Sequence, residues 1–129
     1  MGEDKAERRL LGLVETGALR FVYVVGVARS NSTLVCRLLG ERLDGAVYEP
    51  AMPNSHRPRD HYARTILRAY EKARRLVPAG EPVALAIKDL SLFLDARSFA
   101  FIAAHAERIV FTLREPVAQH SSLMRQFGL

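Results

Sequence analysis

Cysteine is almost absent from this chain of 129 residues. Cys36 is the only one, so no disulfide can form within the chain, and a reducing, intracellular compartment is expected. It lies in the mostly apolar stretch 34–39, where a small buried core thiol is expected rather than a nucleophile. The sequence therefore favours a packing role for Cys36 over thiol catalysis.

Long apolar runs are also missing. No run reaches the roughly 20 residues that a membrane-spanning helix needs, and the N-terminus, MGEDK, lacks the apolar core of a secretory signal. These absences predict a soluble cytoplasmic protein without a membrane span. Hydrophobic residues make up 49% and charged residues 26%, which is ordinary for a globular protein. The length suits one domain, so residues 1–129 are predicted to form a single unit.

Acidic residues are in the minority, with 14 Asp and Glu against 19 Lys and Arg, which gives a net charge of +5. This balance favours anionic partners such as nucleotides, sulfated or phosphorylated substrates, nucleic acid or an acidic membrane surface. The most basic stretch, 56–75, is predicted to be a solvated helix face, with a binding surface for an acidic acceptor such as a sulfated glycan as the alternative. Nucleic acid is not expected, because neither a recognisable binding motif nor an aromatic platform accompanies the charge.

Four short strand-like segments alternate with helical patterns along the chain. The predicted strands are Phe21–Gly26, Ala46–Tyr48, Val83–Ile87 and Arg108–Leu113. The predicted helices cover 4–16, 32–43, 60–76 and 95–105, and a last helix begins at Pro116. Gly17 is expected to end the first helix, and Asp95 to cap the fourth. This alternation predicts an α/β fold in three layers, in which a parallel sheet of about four strands is flanked by helices. The N-terminal helix, 4–16, precedes a core that spans 21–127.

A polar or charged residue follows each predicted strand. Arg29 and Ser30 come shortly after the first strand, Glu49 after the second, Lys88 after the third and Arg114 after the fourth. Open parallel sheets bind their ligands at the carboxyl ends of the strands. We therefore expect these residues to gather at one edge of the sheet and to form a binding site there.

The loop Gly26–Thr33 is the strongest local feature. A strand that feeds a tight polar loop and then a helix directs backbone N–H groups and the positive end of the helix dipole at one point. Ser30, Ser32 and Thr33 add hydroxyl groups, and Arg29 adds a planar cation suited to phosphate oxygens. The loop thus predicts a phosphate-type site. The alternative is that Ser32 or Thr33 only caps the helix, which accounts for one hydroxyl but not for the arginine.

Two absences limit the chemistry of this loop. A Walker A motif has Lys before the Ser or Thr that holds magnesium, whereas Ser32 precedes Thr33 here, so metal-dependent triphosphate chemistry is disfavoured. Carboxylates and histidines likewise show no metal-ligand spacing, and no metal cofactor is expected. The histidines form no i, i+4 pair and are predicted to be solvated or on helix surfaces: His56, His61, His105 and His120.

A second candidate motif follows the fourth strand. Arg114-Glu115-Pro116 is followed by Ser122, eight residues beyond the arginine. If Pro116 begins a helix, Ser122 lies about two turns along it and faces back toward the strand end. An arginine at a strand end and a hydroxyl on the next helix make a second anion pocket. The alternative is that Arg114-Glu115-Pro116 only marks the start of a helix and binds no anion.

The two motifs together resemble those of the sulfotransferase family. Segment 26–34 (GVARSNSTL) resembles the family's 5′-phosphosulfate loop, and segment 114–122 (REPVAQHSS) resembles its 3′-phosphate motif. Glu49-Pro50 and Lys88-Asp89 are similar to further positions, especially among bacterial sulfotransferases and sulfotransferase-like proteins. The resemblance covers nearly the whole chain. Asn31 stands where the family usually has a small, glycine-like residue, and after glycine asparagine best tolerates left-handed backbone.

The resemblance implies a P-loop-like α/β fold that binds 3′-phosphoadenosine 5′-phosphosulfate (PAPS) as co-substrate, without a metal. It implies transfer of the sulfuryl group to a hydroxyl or amine of a small-molecule or glycan acceptor. Lys88 would stabilise charge on the leaving phosphate. Glu49 is the candidate base for the acceptor proton; the alternative is that Glu49 is only a solvated or helix-capping carboxylate. The implied nucleotide-binding residues are Arg29, Ser30, Asn31, Ser32 and Thr33 for the 5′-phosphosulfate, and Arg114 and Ser122 for the 3′-phosphate.

Two other functions remain open at this point. Family members normally continue with further helices after the second motif, so the chain is expected to be either a fragment of a longer enzyme or a minimal relative. A non-catalytic or truncated nucleotide-binding module of the same fold is the first alternative. The second is a nucleotide kinase-like P-loop protein, which the missing Walker lysine disfavours.

Overall fold

Strands and helices alternate along the residues that the computed structural model describes, which are 5–28, 30–53 and 60–113. The strands are β1 (Leu19–Gly26), β2 (Ala46–Tyr48), β3 (Val83–Leu90) and β4 (Arg108–Thr112). The helices are α1 (Lys5–Glu15), α2 (Ser32–Arg42), α3 (His61–Arg74) and α4 (Ala96–His105), and a 3₁₀ turn covers Ser91–Phe93. The predicted α/β class and its four strands are confirmed.

All four strands are parallel, in the order β2-β3-β1-β4. At the carboxyl edge, Gly26 of β1 is level with Leu90 of β3 and Thr112 of β4, and Tyr48 of β2 is level with Lys88 of β3. The strand ends therefore meet at one edge, as the sequence predicts. The loops that leave this edge carry the candidate functional residues described below.

Two layers of helix cover the sheet because the β1 side chains alternate between its faces. One set of β1 side chains, which includes Phe21 and Tyr23, packs in the large cluster formed with α1, α3 and α4. On the other face, Val24 and Ala86 pack against Cys36 of α2. The central strand is apolar on both faces, which explains its nearly unbroken hydrophobic sequence. The three-layer arrangement is confirmed.

Local signals in the sequence set several helix ends. Asp95 precedes α4, and its Oδ1 accepts a hydrogen bond of 2.8 Å from the Ser98 N–H, so the predicted cap is confirmed. Gly17 follows α1 with φ of 80°, a left-handed conformation that suits glycine. Among the described residues, no helix combines the length and the apolar character needed to cross a bilayer.

Strand β3 is longer than predicted, and this difference matters for the site. The sequence places its end at Ile87, whereas the strand continues to Leu90, so Lys88 and Asp89 lie within it. Both side chains are buried and both have polar partners, so the sheet extends without isolating a charge. Because side chains alternate, Lys88 lies on the α2 face and Asp89 on the opposite face. The predicted helix from Pro116 lies outside the described residues.

Candidate functional site

The loop after β1 is folded tightly against the end of β4. A Cβ atom at Gly26 would lie 2.5 Å from the Ser32 Cβ and 2.6 Å from the Thr112 Oγ1. Both distances are shorter than van der Waals contact permits, so only glycine fits where the chain leaves the sheet. Thr112 was not predicted from the sequence, and only the register of β4 against β1 reveals its place beside the loop.

Asn31 turns the chain into α2. Its backbone is left-handed, with φ of 62° and ψ of 24°, and it occupies the N-cap position without a side-chain capping bond. Ser32 and Thr33 lie inside the first turn, so the capping alternative applies to neither. The first N–H groups of a helix lack partners within the helix, and the helix dipole adds positive potential there. The start of α2 therefore offers donors to a bound anion.

Ser30 holds the loop in place. Its hydroxyl donates a hydrogen bond of 2.6 Å to the Val27 carbonyl and lies 2.7 Å from the Thr112 hydroxyl. Since its proton is committed to Val27, Ser30 accepts from Thr112 in this geometry. These bonds join the loop to β4. Direct contact between Ser30 and a ligand stays a prediction.

A cavity of about 540 Å³ lies beside the loop. It is lined by Ala28, Ser30, Asn31, Ser32, Thr33, Leu34, Arg37, Lys88 and Leu90. The structure thus brings the predicted loop residues 30–33 together with Lys88. Arg37 was not predicted; it is exposed and lies four residues after Thr33, which puts both on one face of α2. We call this space the loop cavity.

Lys88 and Glu49, the two predicted catalytic residues, lie side by side. The Lys88 Nζ is 3.3 Å from the Glu49 Oε1, and the lysine side chain is 4% exposed against 30% for the glutamate. The Glu49 N–H also donates to the Lys88 carbonyl at 2.6 Å. Glu49 has φ of 53°, which is uncommon for a residue with a side chain. Among the described residues, the lining of the loop cavity includes Lys88 but not Glu49.

Asp89 anchors a buried hydrogen-bond chain that the sequence did not reveal. The Tyr23 hydroxyl donates to the Asp89 Oδ2 at 2.5 Å, and the Ala51 N–H donates to the Oδ1 at 3.1 Å. The hydroxyls of Tyr23 and Tyr62 are 2.8 Å apart. Because the Tyr23 proton is committed to Asp89, Tyr62 donates to Tyr23.

Burial controls the ionisation of the three side chains that these hydrogen bonds connect. It raises the pKa of Asp89 to about 6, while the hydrogen bonds from Tyr23 and Ala51 oppose the rise. Burial is also the largest cause that raises the pKa of Tyr23 and of Tyr62. Both phenols therefore stay neutral, and Asp89 is an ionised acceptor at neutral pH.

Cys36 is a core residue, as the sequence predicts. It is fully buried, and its Sγ lies 3.9 Å from the Val47 carbonyl oxygen. Burial raises the pKa of the thiol to about 11, although nearby Lys88 opposes the rise. A buried neutral thiol is a poor nucleophile, so Cys36 contributes packing.

Three predicted binding residues lie outside the described residues: Arg29, Arg114 and Ser122. The second anion pocket and the arginine of the loop therefore stay predictions. The loop cavity consists of residues that the structure describes, and it does not depend on these three.

Comparison of the chain with models of protein families, with curated proteins and with solved structures gives no match. What the site can bind therefore has to follow from its own residues. They form a cavity whose lining includes the start of α2, hydroxyl side chains and a buried lysine.

Proposed function

We propose that the chain is a sulfotransferase-type domain that binds PAPS and transfers its sulfuryl group to a hydroxyl or amine of a small-molecule or glycan acceptor. The observation that carries this proposal is the shared cavity of Lys88 and the loop residues 30–33. A helix N-terminus alone attracts anions weakly. The buried Lys88 ammonium in the same cavity, whose charge the Glu49 carboxylate at 3.3 Å partly balances, forms a pair of positive groups with it. The pair suits a phosphate or sulfate group.

The residues beside the loop cavity fit the phosphosulfate end of such a nucleotide. The N–H groups at the start of α2 and the Thr33 hydroxyl supply donors, and Lys88 supplies the charge. The resemblance to sulfotransferases adds Arg29 for the 5′-phosphosulfate, and Arg114 and Ser122 for the 3′-phosphate. A nucleotide held at both phosphates would be distinguished from ATP by its 3′-phosphate.

The reaction in this proposal is one displacement at sulfur. The acceptor oxygen or nitrogen forms a bond to sulfur while the bond from sulfur to the bridging oxygen of the 5′-phosphate breaks. The acceptor proton passes to a base, and 3′-phosphoadenosine 5′-phosphate (PAP) leaves. Negative charge grows on the bridging oxygen, where the Lys88 ammonium would stabilise it without any metal ion.

Glu49 is the proposed base, and its contact with Lys88 defines a second role for it. The Lys88 Nζ lies 3.3 Å from the Glu49 Oε1, so Glu49 also holds the lysine in place. Because Glu49 does not line the loop cavity, a second candidate function is a nucleotide-binding module without turnover. Both functions bind the same nucleotide. They differ in whether a catalytic base can reach the hydroxyl or amine that receives the sulfuryl group.

A thermal-shift comparison of PAP with ATP-magnesium tests the proposed nucleotide. We expect PAP to raise the melting temperature more than ATP-magnesium does, and Arg114→Ala to abolish that preference. An equal or larger shift with ATP-magnesium would instead favour the kinase-like alternative, and no shift with PAP would remove both sulfotransferase-type functions.

A further inference from the structure

A second cavity, of about 490 Å³, lies among the N-terminal parts of α1, α3 and α4. These helices cover the face of the sheet opposite α2, so the sheet separates this space from the loop cavity. Its apolar lining includes Leu10, Met52, Ala63, Phe93 and Phe101. The volume is within the range of roughly 300–1,000 Å³ that is typical of small-molecule sites. We call this space the aromatic cavity.

The lining favours a flat ring. Tyr62 and Phe101 both line the cavity, with ring centroids 6.3 Å apart and ring planes at 88°. Phe101 also stacks on the buried Phe21, at 5.6 Å and 9°, which fixes its orientation. Aromatic walls held at right angles offer both a face and an edge to an aromatic guest.

The acidic and basic side chains that line the cavity are Glu7, Arg8, His61, Asp95 and Arg97, so acids and bases are mixed, and none of the five is without a partner. The Arg97 guanidinium is 2.9 Å from the Glu7 carboxylate, which joins α4 to α1 beside the cavity. The Asp95 carboxylate accepts from the Ser98 N–H at the start of α4. Behind the wall, the Asp89 carboxylate accepts from the Ala51 N–H, and Ala51 itself lines the cavity. These surroundings favour a neutral guest over an anion.

The buried hydrogen-bond chain sets the polarity of the wall. The Asp89 carboxylate can only accept, so Tyr23 donates to it and Tyr62 donates to Tyr23. The Tyr62 hydroxyl has then used its one proton, and its oxygen retains acceptor capacity alone. A ligand that forms a hydrogen bond with this oxygen must therefore donate it, through an O–H or N–H group.

We infer that the aromatic cavity binds a small neutral aromatic molecule that carries one hydroxyl or amine, and that this group donates a hydrogen bond to the Tyr62 oxygen. The inference does not depend on which nucleotide occupies the loop cavity. It assigns to the opposite face of the sheet a second site that selects by ring shape and by a donor rather than by charge.

Fluorescence anisotropy of 2-naphthol tests this inference, because the chain contains no tryptophan that would interfere. We expect saturable binding of 2-naphthol, and binding of 2-methoxynaphthalene that is weaker by about tenfold, since the ether cannot donate. The ether would be measured by its competition with 2-naphthol. In Tyr62→Phe the two molecules should bind within about twofold of each other.

Tyr48→Phe is the matched control, because Tyr48 is exposed on β2 and lines neither cavity. It should keep the wild-type preference. Absence of saturable binding, equal binding of alcohol and ether to the wild type, or a preference that survives Tyr62→Phe would each overturn the inference. Competition of PAP with 2-naphthol would also overturn it, by placing the naphthol in the loop cavity. Failure of PAP to bind would leave these naphthol results intact.

Discussion

The ammonium of Lys88 is held 3.3 Å from the carboxylate of Glu49 at the carboxyl edge of the sheet. The two members of this pair differ in burial, since Lys88 is 4% exposed and Glu49 is 30% exposed. Water can therefore compensate a lone Glu49 charge better than a lone Lys88 charge. The contact holds a buried cation at the loop cavity. Because the two side chains differ in burial, removing one should cost more stability than removing the other.

Glu49→Gln should destabilise the protein more than Lys88→Met does. The first change leaves a buried ammonium without its counter-charge and should cost about 2–4 kcal/mol, whereas the second leaves a carboxylate that water partly solvates and should cost less. Urea unfolding at neutral pH measures both free energies. Equal losses, or a larger loss for Lys88→Met, would show that the pair does not protect the buried lysine.

Gly26→Ala should damage the loop. The added Cβ would meet the Ser32 Cβ at 2.5 Å and the Thr112 Oγ1 at 2.6 Å, so the loop and the start of α2 must shift, at a cost of about 1–3 kcal/mol. We also expect weaker nucleotide binding in this variant.

Gly12→Ala is the matched control, because Gly12 lies in α1 and nothing lies within 4 Å of a Cβ atom there. Alanine should stabilise that helix by about 0.5–1 kcal/mol. Urea unfolding compares the two variants with the wild type. A stable Gly26→Ala protein with unchanged nucleotide affinity would contradict the tight loop.

Asn31 should tolerate glycine better than alanine. Its φ of 62° is left-handed, which costs an ordinary residue roughly 1–2 kcal/mol and glycine almost nothing. We expect Asn31→Gly to be near neutral, and Asn31→Ala to lose about 1 kcal/mol of stability. The difference between the two melting curves checks this, and a more stable alanine variant would exclude the left-handed start of α2.

Asp89 should make stability depend on pH in the direction opposite to an ordinary paired carboxylate. Its pKa is about 6 in the folded protein, above its ordinary value, because of burial. The folded state therefore binds more protons than the unfolded state between about pH 4 and 6, and stability from this group is lost as pH rises through that window. At ~1.4 kcal/mol per pKa unit, the loss amounts to about 3 kcal/mol.

The matched measurement compares wild type with Asp89→Asn, whose side chain does not titrate. The free energy of unfolding of the wild type minus that of the variant should fall between about pH 4 and 7. A difference that is flat or rises over this range would mean that burial does not raise the pKa of Asp89.

The sequence was sufficient for the sheet and for part of the site. Apolar strands that alternate with helices predict that the strands run parallel, because each helix carries the chain back to the edge where the previous strand began. The tight loop after the first strand is predicted, and Gly26 does pack closely against Ser32 and Thr112. The left-handed backbone is found at Asn31, the residue type that tolerates it best after glycine. The polar residues at the strand ends predict one shared edge, and Lys88 meets the loop there.

The chain of Asp89, Tyr23 and Tyr62 could not be predicted in the same way. Asp89 is 66 residues and Tyr62 is 39 residues from Tyr23 along the sequence. Only the pairing of β1 with β3 and the packing of α3 on the sheet bring the three side chains together. The sequence pattern also predicts that β3 ends at Ile87, because charged residues such as lysine and aspartate commonly follow a strand. Alternation within a longer strand would have placed Lys88 and Asp89 on opposite faces, which is the arrangement that separates the two cavities.

The most direct test of the proposed function is calorimetric titration of PAP into the wild type, Lys88→Met and Lys72→Met. Lys72 is exposed on α3 and lines neither cavity, so its loss controls for the change in net charge. We predict that the wild type and Lys72→Met bind PAP equally, and that Lys88→Met binds it at least about tenfold more weakly. Equal PAP affinity in Lys88→Met and Lys72→Met, or no binding to the wild type, would contradict the loop cavity as the nucleotide site.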